Sequence, residues 1–274
     1  MKFRYILIIF NIFLFFFAAV LCLIPFFTLG SSFSLSFWLS NWYLLLAFVL
    51  IPAAVDGYYV VNRRLLLLLE KEDWPALVYY LEEKVIRRGK YTPHLVRLLA
   101  NAYLVLSDSA AVISLEKKIA IARPDLLETN ALLFGAARIL GRDIPGAVRF
   151  FSARLENAKP PGKQWLRWYY GFSLLRNRQP EKAAEEFSRL AAASRDGVVA
   201  GLASFFLDGP LAAALPEKAP AFKAAASEGR NRVRRALPGQ KNWTRETGKL
   251  RTEIYAAALS QYMDEAGRWL YGNS

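Results

Sequence analysis

The sequence predicts an all-α protein in which an N-terminal transmembrane helical hairpin precedes an α-solenoid with a C-terminal capping helix. Three observations support this prediction: two long apolar runs early in the 274-residue chain, a pattern with a period of about 36 residues, and a final stretch with apolar residues at helical spacing. They divide the chain into residues 1–62, 63–207 and 208–274. Hydrophobic residues make up 54% of the chain, which excludes a disordered protein.

The first apolar run covers residues 5–29 and carries no charged residue. About 20 apolar residues are enough for a helix to cross the hydrocarbon core of a bilayer, so this run predicts a transmembrane helix. The alternative is a cleaved signal peptide, with Lys2 and Arg4 as its basic start and Cys22 near a lipoprotein-like cleavage box. Signal peptides have apolar cores of about 7–15 residues, which is shorter than this run, so an uncleaved span is favoured.

The second run covers residues 37–61, and the uncharged linker of residues 30–36 predicts a tight turn between the two runs. Two spans joined in this way form a helical hairpin. Basic residues flank both outer ends of this hairpin, namely Lys2, Arg4, Arg63 and Arg64. Because cytoplasmic loops are enriched in Lys and Arg, both ends and residues 63–274 are predicted to be cytoplasmic, which makes the chain an integral inner-membrane protein.

Asp56 is the single charged residue within the two apolar runs. An ionisable residue inside a membrane span indicates a functional site. However, Asp56 lies about two helical turns before Arg63 and is followed by Gly57 and Tyr58, which favours a place among the lipid headgroups. The sequence leaves open whether Asp56 has a function.

Beyond the second run, a pattern repeats with a period of about 36 residues. A small residue is followed four positions later by an aromatic one in Ala76 and Tyr80, Ala147 and Phe151, and Ala183 and Phe187, with Ala111 or Val112 at the small position in between. Gly135 and Gly171, and Pro124 and Pro160, are each 36 residues apart. Regularly spaced small residues let antiparallel helices approach closely, so we expect stacked helical hairpins in which Gly171 faces Ala183.

These residues resemble the tetratricopeptide repeat family, whose repeats have Trp, Leu-Gly and Tyr in a first helix, Ala and an aromatic residue in the second, and Pro at the end. The fit is best in the repeat with Trp168, Gly171, Ala183 and Phe187, followed by the repeat with Gly135, Ala147, Phe151 and Pro160. An earlier repeat keeps about half of the pattern, in Leu99, Ala100, Tyr103, Ile119 and Pro124. The resemblance covers roughly residues 58–195, and its combination with a two-span anchor is similar to HemY-type bacterial inner-membrane proteins. A helical solenoid of another type is the alternative.

The last part of the chain is expected to cap the repeats. Residues 197–207 are apolar and predict a helix that ends at residues 208–210, where Asp, Gly and Pro follow one another. Four prolines in residues 208–242 indicate short helices. A final amphipathic helix is predicted from about Thr244, a suitable N-cap, to Leu270. Terminal repeats need a cover over their exposed apolar face, and this helix can supply it.

Residue types needed for catalysis or metal binding are scarce, since the chain has one histidine, His94, and one cysteine, Cys22. The sequence contains no glycine-rich phosphate loop. The paired glutamates at 82–83 and 185–186 lie among lysines and arginines, a pattern typical of solvated helix faces. The sequence therefore predicts no catalytic, cofactor-binding or metal site, and a protein that is not an enzyme.

In the tetratricopeptide family the first helix of each hairpin lines a concave groove that holds partners. By position, the resemblance implies that this groove is formed by His94, Arg97, Asn101, Trp165, Trp168 and Phe172. Arg97 and Asn101 are four residues apart, similar to the basic and Asn pair with which some family members hold a peptide carboxylate. Trp168 lies at or beside the packing Trp of the repeat, so Trp165 is expected to be the more exposed of the two.

The net charge of +13 has three interpretations. Five basic residues close to the second span fit an anionic membrane surface, namely Arg63, Arg64, Arg87, Arg88 and Lys90. A second basic group could contact nucleic acid, but no nucleic-acid-binding motif accompanies Arg230, Arg232, Arg234 and Arg235, so nucleic acid is not expected as a partner. The third interpretation is a solvated surface. The predicted function is a membrane-anchored, non-catalytic scaffold for protein or peptide partners; the alternative is an accessory subunit of a membrane enzyme or transport complex.

Overall fold

The computed structural model describes residues 2–157, 162–257 and 259–272, and every regular element in these ranges is a helix. The prediction of an all-α protein is therefore confirmed. The chain divides into two compact units, Met1–Glu83 and Lys84–Ser274. Residues 208–274 belong to the same unit as the helices that precede them.

The first unit contains four α-helices. They are α1 (Lys2–Leu29), α2 (Ser31–Ser40), α3 (Trp42–Glu70) and α4 (Trp74–Glu82). The tight turn expected over residues 30–36 is wrong, because only Gly30, with φ 82°, interrupts the helical path before α2 begins. The Ser34 hydroxyl donates to the Gly30 carbonyl oxygen over 2.8 Å, so a polar side chain supports the first turn of this short helix.

Helices α1 and α3 pack antiparallel. The Phe17 ring meets the Phe48 ring edge-on at 6.4 Å, and further along the pair the Asn11 amide nitrogen donates to Asp56 over 3.0 Å. Tyr5–Thr28 and Trp42–Glu70 are long and apolar enough to cross a membrane, and none of the apolar window in either stretch is buried inside the protein. Such large exposed apolar surfaces are rare on water-facing helices.

The second unit is a succession of helices joined by short turns. The helices are α5 (Pro93–Val105), α6 (Ser109–Ala122), α7 (Asp125–Thr129), α8 (Ala131–Leu140), α9 (Ile144–Asn157), α10 (Gly162–Arg176), α11 (Pro180–Ala193), α12 (Gly197–Phe206), α13 (Ala212–Ala214), α14 (Ala219–Ala236), α15 (Gln240–Arg251), α16 (Ile254–Ala257) and α17 (Ser260–Tyr271). The first residues of this unit complete a π-helical turn, Glu83–Arg87. Pro160, which the repeat pattern predicts to follow the end of a helix, lies outside the described residues.

The repeat is visible in the turns between helices. Among the described residues, four that are not glycine have a left-handed backbone, namely Glu72, Ser107, Arg142 and Arg178, and they are spaced by 35, 35 and 36 residues. In each turn the N–H of the next residue donates to the carbonyl oxygen five residues before it, over 2.8–3.2 Å, as in a Schellman helix end. Three of these next residues, Asp73, Asp108 and Asp143, also accept a backbone N–H with their carboxylates and cap the following helix.

Alignment on these turns corrects the register expected for the first repeat. The residue after each left-handed residue accepts, with its carbonyl oxygen, the backbone N–H four positions later. The donors are Val112, Ala147 and Ala183 in the later repeats, and Leu77 is the donor in the first hairpin. The small position assigned to Ala76 therefore belongs to Leu77, which is fully buried. The sequence pattern is shifted by one residue here because it was aligned on the small side chain of Ala76. In the structure Ala76 is only half-buried, and its neighbour Leu77 packs in the core.

The glycines of the hairpins lie opposite aromatic rings. A Cβ added to Gly171 would meet the Phe187 ring at 3.4 Å, and one added to Gly135 would come within 2.1 Å of the Phe151 ring. The expected facing of Gly171 and Ala183 is thus corrected: the atoms nearest to this added Cβ belong to Glu186 and to the Phe187 ring, about one turn after the alanine. Ala183 is fully buried and lies at the small position of its helix.

The C-terminal part differs from its prediction at three points. The apolar helix α12 does not end at residues 208–210 but passes into a π-helical turn, Leu207–Leu211, because one π turn can absorb Pro210 without ending the helix. The basic segment lies in one 18-residue helix, α14, whose Pro220 is in the first turn, where proline is tolerated. The final helix begins at Gln240 after Gly239, with φ 86°, rather than at Thr244, and breaks before α16.

Stacked aromatic rings form the core between α9 and α12. The Phe151 ring lies parallel to that of Tyr169 at 5.6 Å, and the Phe187 ring lies parallel to that of Phe206 at 5.2 Å. Trp168 touches Phe187 edge-on at 5.8 Å and has no exposed surface. A third stretch long and apolar enough to cross a membrane, Gly197–Ala214, is 61% buried in this core, which accounts for its hydrophobicity without a membrane.

Candidate functional site

The residues of the predicted groove fall into two groups. His94 and Arg97 are exposed on α5, and Asn101, one turn later on the same helix, is half-buried. Arg97 forms an ion pair with Glu253 from the C-terminal part of the chain. The α5 residues are therefore accessible from solvent, as a binding surface requires, and one of them already contacts a carboxylate.

The three α10 residues of the predicted groove are buried. Trp165 is 9% exposed, Phe172 is 7% exposed and Trp168 is not exposed at all. The Trp165 indole nitrogen donates to the Asp196 carboxylate over 3.0 Å, so even the polar edge of this side chain has a partner within the chain. The exposure expected of Trp165 is wrong, since Asp196, which caps α12, holds it in the core.

The C-terminal segment covers the face of α10 that the resemblance assigns to a groove. The Tyr169 hydroxyl donates to the Tyr255 carbonyl oxygen over 2.6 Å, and the Tyr262 ring packs edge-on against Phe172 at 5.8 Å. Glu253, just before Tyr255, reaches Arg97 on α5. The described residues 253–257 and 259–262 thus cover the face of α10 that the sequence analysis predicts to bind a partner. The sequence pattern identified this segment as a cap but contained no signal for its path along α5 and α10.

A cavity of about 200 Å³ remains beside this segment. Its lining includes Arg97, Asn101 and Leu166, together with Glu253 and Tyr255. Burial raises the pKa of Tyr255 and raises that of Tyr169 well above its usual range, so both hydroxyls stay neutral at physiological pH. The cavity offers a guanidinium and an amide on one wall and a displaceable carboxylate on the other.

The basic residues assigned to a membrane surface are exposed in both units. In the first unit Arg63 and Arg64 lie on α3, and the Arg64 guanidinium lies 5.2 Å from the centre of the Tyr80 ring. In the second unit Arg87, at the end of the π turn, and Arg88 and Lys90, between that turn and α5, are exposed. Exposed cations of this kind are attracted to anionic headgroups.

Asp56 has a partner inside the first unit. The Asn11 amide nitrogen donates to both carboxylate oxygens of Asp56, over 3.0 and 3.2 Å. A hydrogen bond between two long apolar helices fixes their rotation and register. Asp56 therefore has a packing role that the headgroup interpretation did not include.

The arginines of α14 contact the carbonyl ends of other helices. Arg230 and Arg234 donate to the Leu270 carbonyl oxygen over 3.2 and 2.6 Å, and Arg232 donates to that of Ala192. A cation at a helix C-terminus is stabilising because carbonyl groups there lack partners. Arg235 is exposed and bonds within α14. Three of the four arginines thus have a structural role that accounts for part of the basic surplus.

One family model matches the second unit. It is described as an uncharacterised Treponema protein and covers residues 111–272, more than half of the chain. The chain belongs to this Treponema family. A relative described as an uncharacterized protein of Treponema pallidum (strain Nichols) is 32% identical over 182 residues, which span 65% of this chain and 56% of the relative. No solved structure matches the chain.

The match to the Treponema family begins in α6 and ends in α17. It includes the hairpins α8–α9 and α10–α11 and the C-terminal segment that covers α10. The matching model is not a tetratricopeptide repeat model, so that resemblance stays a prediction that rests on the residues and on the spacing of the turns. Within the described residues no group of three His, Cys, Asp or Glu side chains could hold a metal ion.

Proposed function

We propose that this protein is a membrane-anchored, tetratricopeptide-like scaffold that binds protein partners at the cytoplasmic face of the membrane and catalyses no reaction. The proposal rests on one observation, which is that the apolar helices of the two units differ in how much of their surface is buried. The apolar windows of α1 and α3, with mean hydropathy 3.0 and 2.0, are entirely unburied, whereas the less apolar stretch Gly197–Ala214, with 1.5, is 61% buried in the second unit. Lipid is the environment that satisfies the exposed pair.

The orientation of the anchor follows from charge. Lys2, Arg4, Arg63 and Arg64 lie near one end of the antiparallel pair α1 and α3, and the connection between these helices, residues 30–41, has no charge. Under the positive-inside rule the basic end faces the cytoplasm, and with it Lys84–Ser274. Anionic headgroups then attract the exposed arginines near the span.

The partner site that the contacts support is the α5 side of the groove. Arg97 and Asn101 line the cavity of about 200 Å³, and Glu253 supplies a carboxylate to Arg97. This ion pair is exposed, with 49% and 31% of the two side chains accessible, so exchange for another carboxylate costs little. A partner peptide with an acidic group would replace Glu253 on Arg97. The aromatic residues of α10 are buried and would contribute to the packing of the helices beside the groove.

The alternative function, an accessory subunit whose spans pack against those of other proteins, requires polar groups that are available within the membrane. Asn11 and Asp56 are the strongest candidates for such contacts, and they are hydrogen-bonded to each other. This mutual pairing favours a self-contained anchor over an intramembrane interface.

Site-specific photocrosslinking in intact membranes tests the proposal. A photoreactive residue at His94, which is exposed beside Arg97, should capture a partner in the full-length protein. Arg97→Gln should reduce this capture several-fold, and Glu253→Gln should increase it because the internal competitor is weakened. Lys118→Gln, an exposed change on α6, serves as the matched control. Equal capture by all four proteins would contradict the proposed groove.

A further inference from the structure

Three charged side chains occupy positions that the two other repeats of the second unit fill with buried apolar residues. The equivalences follow from alignment on the turns at Ser107, Arg142 and Arg178. Each charged residue has two equivalents, and all six equivalents are buried. They are Phe151 and Phe187 for Glu116, Tyr103 and Leu174 for Arg138, and Ile119 and Leu190 for Arg154. A buried charge pair is usually no more stabilising than apolar residues of similar volume. The packing of the repeats therefore does not explain why these positions are charged.

The three charges meet at the junction of α6, α8 and α9. Arg138 Nη2 lies 2.7 Å from Glu116 Oε2, and the two side chains are only 13% and 10% exposed. The guanidinium carbons of Arg138 and Arg154 lie 5.1 and 4.9 Å from the centre of the buried Phe150 ring. Cation–π contacts with one ring hold both guanidinium groups in place before any ligand arrives.

These residues line an open cleft of about 430 Å³. Lys117 and Arg149 are exposed at its edge, so the lining contains four cations, with Arg138 and Arg154, against the two carboxylates of Glu116 and Asp143. Glu128, outside the lining, forms an ion pair with Arg154 over 3.5 Å, so four cations stand against three carboxylates and one positive charge is left over. Asp143 accepts the Gly146 N–H over 2.9 Å and is committed to capping α9.

Two donors of the cleft make no hydrogen bond. Arg138 Nη1 and Arg154 Nε are buried and have no hydrogen-bond partner among the described residues, although Arg154 Nε forms an ion pair with Glu128 Oε1 at 3.5 Å. Buried donors in folded proteins normally have an acceptor, and an unpaired buried guanidinium nitrogen is costly. An oxyanion in the cleft would provide the missing acceptors.

We propose that this cleft is a binding site for a phosphate monoester. A phosphate monoester presents three acceptor oxygens to the guanidinium groups of the cleft, whereas a carboxylate presents two. Guanidinium groups bind phosphate oxygens through paired, charge-assisted hydrogen bonds, and two preorganised arginines can hold one phosphate from two sides. A soluble phosphorylated molecule and the phosphomonoester headgroup of a lipid are the two sources of such a ligand, and both present the same group to Arg138 and Arg154.

The test uses the full-length protein in phosphatidylcholine nanodiscs, with inorganic phosphate as the probe. Titration at constant ionic strength should raise the melting temperature of the second unit with a saturable dependence on phosphate. The double variant Lys117→Gln/Arg149→Gln changes only exposed side chains and should weaken the apparent affinity about tenfold or more. Lys118→Gln, which removes a charge from the same helix outside the cleft, should bind as the unaltered protein does.

A core variant tests the buried charges themselves. Glu116→Phe/Arg138→Leu/Arg154→Leu introduces residues of the types that the other repeats carry at these positions, so it should fold and should show no phosphate response. The proposal is overturned if the unaltered protein shows no saturable response, or if the Lys117/Arg149 variant responds equally.

A second set of nanodiscs containing phosphatidic acid distinguishes the two sources of the phosphate group. If the phosphate response disappears in these nanodiscs, the lipid headgroup occupies the cleft. If it persists unchanged, the cleft takes a soluble ligand. Either result supports a phosphomonoester site, and neither depends on the α5 groove, whose test uses Arg97 and Glu253.

Discussion

Two glycines at equivalent positions of successive repeats have different amounts of space beside them. A Cβ on Gly135 would lie 2.1–2.8 Å from three atoms of the buried Phe151 ring, whereas one on Gly171 would lie at an ordinary 3.4 Å from Phe187. We expect Gly135→Ala to destabilise the second unit by about 1–3 kcal/mol through overpacking. Gly171→Ala should stabilise it by about 0.5–1 kcal/mol, because alanine favours the helix more than glycine does.

Thermal unfolding of the full-length variants, followed by far-ultraviolet circular dichroism, measures both changes. Each glycine serves as the control for the other, since they lie 36 residues apart at the same repeat position. Equal shifts of the melting temperature in the two variants would show that the rings do not limit the approach of the helices.

Glu116 makes the stability of the second unit depend on pH. Burial raises the pKa of this carboxyl, and the attraction of Arg138 and Arg154 offsets part of that rise. Because the folded state holds the proton more tightly than the unfolded state does, this contribution to stability is fully present below the ordinary pKa of 4.5. It is lost as the pH rises through the higher, folded-state pKa.

The Glu116→Gln variant lacks this dependence. From pH 4.5 upward, the melting temperature of the unaltered protein should therefore fall relative to that of Glu116→Gln, until the pH exceeds the folded-state pKa. The exposed change Glu181→Gln provides the comparison, and melting curves at several pH values supply the measurement. A constant difference between the unaltered protein and Glu116→Gln at all pH values would exclude a raised pKa at this site.

At the scale of helices and turns, the repeat is defined by a left-handed residue followed by a helix-capping carboxylate. Asp108 caps α6, whereas Gln179, at the same position before α11, makes no capping hydrogen bond with its side chain. Asp108→Ala should therefore cost about 1 kcal/mol, and Gln179→Asp should contribute a similar amount of stability.

These opposite changes should shift the melting temperature by about 2–4 °C in opposite directions, as expected for a unit of this size. Glu181→Gln, in the first turn of α11, controls for the change in charge near the helix start. Destabilisation by Gln179→Asp would mean that the fourth turn has a geometry different from the other three.

At the scale of the whole molecule, the proposed anchor would determine which compartment the second unit occupies. With Cys22→Ala as a cysteine-free background, we expect Ser32→Cys, on the exposed face of α2, to react with a membrane-impermeant thiol reagent in intact cells. Lys118→Cys, on α6, should react only after lysis, because the positive-inside rule places α6 in the cytoplasm.

Labelling of both cysteines after lysis shows that each site is reactive. The reverse pattern in intact cells, with Lys118→Cys labelled and Ser32→Cys protected, would place the second unit outside the cytoplasm. It would then exclude a scaffold for cytoplasmic partners while leaving the phosphate cleft unaffected.

The sequence by itself determined the features that depend on residues close together in the chain. The apolar runs predicted two membrane-spanning helices, and the structure has a long apolar helix with an unburied window in each region. The spacing of Ala147, Ala183 and the aromatic residues that follow them predicted a period that the turns reproduce. These features are local because helix formation and turn capping involve residues within about five positions of one another. The Asp residues after the turns were a further local signal of the same period.

Only the tertiary structure decided which surfaces are covered. Trp165 is buried because Asp196, 31 residues away, accepts its indole N–H, and α10 is covered because Tyr169 bonds to Tyr255, 86 residues away. Similarly, Glu116 and Arg138 look like ordinary surface charges until folding brings α6 and α8 together. Burial depends on contacts between distant residues, and helical periodicity shows which face of a helix is apolar but not which segment packs against it.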